Sequence, residues 1–217
     1  GKLIPGHEIL VIPSANHFSM NISKRFWAMD NTDINRMFPG YDKGETTQRI
    51  ASAIFEHLKG YRYGIQMASF YMPGEFIPHV RMMNTGFQNI TLAKKFGLPY
   101  ILIRQPKPYD TTVLNYNWQI FDTQAFSVYS GYTDIINKDA AKMAWLSVFR
   151  FMQKTKLLNL DMHDGYSSCV VKENELQVVK ADQSGVLYVL SNPGDEIKTG
   201  DLLAKILDPF TGDTKSS

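Results

Sequence analysis

Apolar runs of strand length alternate with stretches of helical period along residues 1–160, and this alternation limits the fold more than any other feature of the chain. "HEILVIPSAN" reads as a buried strand ending in a turn. "ETTQRIASAIFEHLKG" reads as a helix, with Ile50, Ile54 and Leu58 on one face and Gly60 as its stop. "YGIQMASFYMP" predicts a second buried strand running into a loop, and "TGFQNITLAKKFG" predicts a second helix ended by Gly97. "PYILIR" and "TQAFSVYSG" read as strands on either side of a polar loop at 105–118. "KDAAKMAWLSVFRFMQKTKLL" is the longest helical stretch, with Met143, Leu146, Phe149 and Phe151 expected inward. Elements in this order predict an α/β fold, a mixed, mostly parallel sheet covered by helices. Sites in such sheets lie at the carboxyl ends of the strands, which puts the loops at 14–40, 68–85 and 129–137 on one rim.

Beyond residue 160 the pattern changes. "QVVKADQSGVLYVLSNPGDEIKTGDLLAKILD" has short strands separated by Ser-Gly, Pro-Gly and Thr-Gly turns and no helical period. The expected organisation is therefore an α/β domain over 1–160 and a small all-β, barrel-like module over 161–217. The module's spacing resembles the biotinyl/lipoyl-type barrel, but no Met-Lys-Met-like attachment motif is present. A net charge of +2 over 217 residues argues against a nucleic-acid partner. The longest apolar runs are far below the ~20 residues of a membrane span, so no membrane partner is expected. Cys169 is the only cysteine, so an internal disulfide and a cysteine-based zinc site are both excluded. In "SSCVVK" it reads as a buried, inert strand residue. A cytoplasmic location is expected.

The chemistry is concentrated in "RFWAMDNTDINRMFPG", Arg25 to Gly40. Arginine makes planar, two-pronged contacts with carboxylates and stays charged at any working pH. Arg25 and Arg36 on one loop can grip an anionic ligand at two points, with Asn35 adding a neutral donor and acceptor. Asp30 and Asp33 can hold the two arginines in place, or merely staple the loop.

This stretch resembles the signature of the succinylglutamate desuccinylase/aspartoacylase family, zinc hydrolases related to the zinc carboxypeptidases. Arg25, Asp30, Asp33, Asn35, Arg36, Phe38, Pro39 and Gly40 match the family pattern, and "LVIPSAN" and the C-terminal β module fit it too. The resemblance implies a zinc carboxypeptidase-like α/β fold. It implies that Asn35 and Arg36 bind the substrate's carboxylate, and that Arg25 polarises the scissile amide carbonyl. The reaction implied is hydrolysis of an N-acylated amino acid, or a similar small carboxylate, by zinc-activated water.

Several matching positions depart from the pattern. The family's His-Gly-x-Glu has no counterpart, and "GHE" at 6–8 has the wrong order. Where the family has Asp-Leu-His, this chain has Gln66, Met67 and Ala68. His79 is the candidate substitute metal ligand, with His17, His57 and His163 behind it. Tyr129 stands where the family has its general-base glutamate, and Asp134 is the nearest carboxylate that can replace it. Two readings stay open: a divergent zinc deacylase, or a non-catalytic relative that binds an anion or complements a partner chain. The sheet's first strand and helix are expected to be missing from this stretch, and a homo-oligomer or a complementing chain is an expected partner.

Overall fold

A computed structural model describes residues 2–70, 72–133 and 135–216. The chain divides into two compact units, 1–173 and 174–217. The division falls beyond residue 160 because Cys169–Lys172 joins the sheet of the first unit.

That sheet has five strands: β1 (Tyr63–Ala68), β2 (Glu75–Met83), β3 (Tyr100–Arg104), β4 (Gln124–Tyr132) and β5 (Cys169–Lys172). Their order is β1-β4-β2-β3-β5, and only the β4–β2 pair is antiparallel. The expectation of a mixed, mostly parallel sheet is met. The helices are α1 (His17–Asn21), α2 (Thr46–Leu58), α3 (Ile90–Ala93), α4 (Leu114–Ile120) and α5 (Lys138–Lys154).

The sheet separates two cores because side chains alternate along each strand. On one face Val80, Met82, Ile101, Ile103, Phe126 and Val128 pack with Ala144 and Phe151 of α5. Phe96 and Phe151 stack there at 4.4 Å. On the other face Ala125 packs with Trp118 and Leu114 of α4, with Ala51 and Phe55 of α2, and with Ile34 and Phe38 of the arginine-bearing loop. Gly64 makes this possible: a Cβ there would meet the Trp118 ring at 2.7 Å.

Several expectations are corrected. "EILVIP" forms no strand, and Val11 is 70 % exposed. A β-branched run signals strand propensity, but a strand needs a hydrogen-bonded neighbour, and none of the described residues pairs with it. The 68–85 stretch, expected to be a loop, contains β2, a central strand. Pro78 hid it, and the register shift between Phe76 and His79 is where that proline is accommodated. The helix expected over 85–97 is a single turn, Ile90–Ala93, followed by a 3₁₀ turn that stops at left-handed Gly97. In α5, Phe149 faces out, while Ala144 and Ser147 are buried. Cys169 is exposed because β5 is the sheet edge.

The second unit contains a three-stranded antiparallel sheet of β6 (Val186–Val189), β7 (Ala204–Leu207) and β8 (Thr214–Ser216). Among the described residues, no helix is long and apolar enough to cross a membrane.

Candidate anion-binding site

The loop carrying Arg25, Asn35 and Arg36 is built around Asp33. Its carboxylate caps the 3₁₀ turn Ile34–Arg36 by accepting from the Asn35 N–H at 3.0 Å. The other carboxylate oxygen accepts from Arg25 Nε at 2.9 Å. Arg25 is thus oriented by the group that starts the turn presenting Asn35 and Arg36. Buried Ile34 and Phe38 anchor this turn in the second core.

The loop docks on residues 109–117. Phe38 N–H donates to Thr112 O at 2.9 Å, and Leu114 N–H donates to Asn35 Oδ1 at 3.2 Å. The latter bond occupies the oxygen of Asn35 and leaves its amide nitrogen as the donor for a ligand. The Asn117 amide donates to Phe38 O and Thr111 O, tying both segments to α4. Arg36 donates through Nη1 to Tyr109 O at 2.7 Å and lies over the Tyr109 ring at 5.3 Å.

The acid that faces Arg36 is Asp110, not Asp30. Asp110 is 1 % exposed and lies 3.5 Å from Arg36 and 3.4 Å from Arg104. Asp30 instead accepts from Thr32 N–H and from Thr47 Oγ of α2. The expected pairing of two loop arginines with two loop acids is therefore half correct, since only Arg25–Asp33 forms.

Below the loop lies the polar side of the sheet. Register places Gln66, Ser127 and Arg81 in one row across β1, β4 and β2. Ala68, Tyr129, His79 and Tyr100 form the next row. The positions that the resemblance gives to a metal-binding histidine and to the general base, Ala68 and Tyr129, are thus cross-strand neighbours. Arg25, Arg36, Gln66, Arg81, Arg104 and Tyr129 line a cavity of ≈ 370 Å³. That is within the size range of small-molecule sites. Four arginines against Asp33 and Asp110 give the lining a formal charge of +2.

His79 does not line this cavity. Its ring stacks on Tyr129 at 5.1 Å and is 7 % exposed. Nδ1–H donates to Ile77 O at 2.8 Å, and Nε2 faces Arg81 Nη2 at 3.5 Å. Burial lowers its pKa to about 4, and the Arg81 charge adds to this, so the ring is neutral near pH 7.

A zinc site needs three protein ligands and an open position. Both ring nitrogens of His79 are engaged, one of them against a cation, and Ala68 offers no donor. Among the described residues no three His, Cys, Asp or Glu side chains come together to hold a metal ion. The residues present do not fit zinc. Asp134, the expected substitute base, lies outside the described residues. His17 and His57 sit on exposed helix surface, and His163 accepts from Gly165 N–H in a turn.

No family model matches the chain, and no curated protein does. Solved structures do match. A succinylglutamate desuccinylase from a Silicibacter species superposes with a TM-score of 0.81 at 17 % identity, over 95 % of this chain and 65 % of that one. The chain has the fold of the succinylglutamate desuccinylase/aspartoacylase structures. The product-bound ectoine utilization protein of Ruegeria pomeroyi matches with a TM-score of 0.77 at 16 % identity, over 91 % of this chain and 62 % of that one. A succinylglutamate desuccinylase/aspartoacylase from Rhodobacter sphaeroides matches with a TM-score of 0.74 at 17 % identity, over 94 % and 64 %. This chain spans less than two thirds of the length of each of these three. The motif resemblance and the shared fold therefore point to the same group of structures, at 16–17 % identity.

Arg81 and Arg104 are the site residues that sequence reading missed. Each projects from a strand, and a lone arginine inside an apolar run carries no motif. The signal that could have exposed Arg81 is the alternation in "PHVRMM", where His79, Arg81 and Met83 fall on one face.

Proposed function

We propose that this chain belongs to a deacylase-like protein acting on an N-acylated amino acid or similar small carboxylate. The cationic cavity between the Arg25–Gly40 loop and the polar face of the sheet carries this reading. Asn35 and Arg36 hold the carboxylate, the guanidinium giving a charged fork and the amide a neutral donor. Arg25, oriented by Asp33 before ligand arrives, polarises the amide carbonyl and favours the oxyanion that develops on it. The neighbouring desuccinylases and aspartoacylases share the fold, which supports this class of substrate.

A second reading is a relative that binds the same ligand without turnover. It draws on Tyr129, which stands at the base position and lies against Arg81, with the guanidinium 4.1 Å from its ring centre. A phenol is a poorer general base near neutrality than the carboxylate it replaces.

Amine release from N-acetylglutamate, assayed with the full-length protein, separates the readings. Release that falls at least tenfold in kcat/KM on Arg36→Ala supports the deacylase. Saturable binding without release at any metal loading supports the second reading. Tight binding that survives Arg36→Ala contradicts both.

A further inference from the structure

Arg81 is the cavity arginine to which the protein brings no carboxylate within ion-pair distance. Arg25 is paired with Asp33, Arg36 with Asp110, and Arg104 with Asp110 and Glu173. Arg81 makes no ion pair with a carboxylate among the described residues. Its contacts are the Tyr129 face at 4.1 Å and His79 Nε2 at 3.5 Å. Its buried Nε has no hydrogen-bond partner. Burial pulls its pKa below the ordinary arginine value and the Arg104 charge pulls the same way, while Tyr129 and Glu173 favour the charged form and offset part of this. A partly buried cation with no carboxylate in contact and an unpartnered Nε is costly. An anion entering the cavity removes that cost.

The placement is as telling as the deficit. Arg81 sits on β2 one row from Ala68, Tyr129 and His79, the ground where the metal chemistry of the resemblance would lie. A fixed guanidinium there repels a metal cation and attracts an anion.

We propose that Arg81 holds one end of a small dicarboxylate directly, without a metal ion, while Asn35 and Arg36 hold the other end. This rests on the carboxylate reading proposed above, and it adds a second anionic group and a residue to receive it. The ligand's two carboxylates bridge from the loop to the sheet. Affinity then depends on both charges, and chelators leave it unchanged.

Calorimetric titration of the full-length protein with succinate and with butyrate, in EDTA, tests this. The two acids share a carbon count and differ in the second charge, and neither can be hydrolysed, so binding is read apart from turnover. The expected result is a preference for succinate of at least tenfold. Arg81→Met should abolish that preference while leaving butyrate affinity within twofold. If Arg81→Met loses its folded circular dichroism, Arg81→Gln is read by the same ratio. A preserved succinate preference in a folded Arg81 variant overturns the proposal. So does equal affinity for the two acids, or succinate binding that appears only after zinc is added. A protein that binds succinate through Arg81 but releases no amine from N-acetylglutamate would sink the deacylase reading and leave this one standing.

Discussion

Two residues at the site have consequences measurable without any ligand. His79 is buried and neutral, with a pKa lowered to about 4 by burial. The unfolded chain takes up that proton first, near pH 6.5, so stability is intact above that value and is lost as pH falls toward 4. Chemical denaturation should show a loss of ~2 kcal/mol between pH 7.5 and pH 5 from this group. His79→Gln should flatten that slope, and an unchanged slope would refute the assignment. Asp110 is the second residue. It is buried between Arg36 and Arg104 and caps its own turn by accepting from Lys107 N–H at 3.0 Å. Asp110→Asn should cost about 2 kcal/mol in the same assay, because Arg36 loses its acid and Arg104 keeps only Glu173. At this scale the sequence was legible where side chains form a motif, as in Arg25, Asn35 and Arg36. It was not legible where a residue's role depends on strand register, as with Arg81, or on a distant partner, as with Asp110. His79 was visible as a histidine, but only its two hydrogen bonds separate a packed ring from a metal ligand.

Among the elements, β1 and α4 each give the cavity a wall residue, Gln66 and Asn115. Gly64 lets Trp118 lie directly on β1, and a methyl group there would meet the indole at 2.7 Å. Gly64→Ala should destabilise the fold by about 1–3 kcal/mol. A melting temperature equal to the parent's would show that α4 can shift at no cost. α2, α5, β1, β3 and β4 were readable because their periods are long enough to stand out, whereas the short helices α1 and α4 fall in stretches whose polar residues read as loops. The Leu10 run failed for the opposite reason to β2. Its composition favours a strand, yet pairing belongs to the sheet and not to the segment. Pro78 made β2 look broken, though one register shift contains the proline. α2 was placed correctly, but its most buried residues are Thr47, Ala51 and Phe55, one position round from Ile50, Ile54 and Leu58. A wide apolar stripe leaves that rotation undetermined.

For the whole molecule, the α/β sheet and a separate β unit were both legible from the change of period along the chain. The point of division was not, because β5 joins the first sheet after a long irregular stretch. The two units also differ in how well they bury their strands. Phe126 and Val128 of β4 are buried, whereas every residue of β6 is exposed. Amide exchange should therefore be much slower in β4 than in β6, and comparable protection would mean that β6 is covered in solution. The central claim is that the polar face of the first sheet, with the Arg25–Gly40 loop above it, is an anion pocket. Arginine Nε–H resonances followed during titration with N-acetylglutamate test it most directly. Saturable shifts confined to Arg25, Arg36, Arg81 and Arg104 are the predicted result. Shifts elsewhere with those four signals unmoved would contradict it.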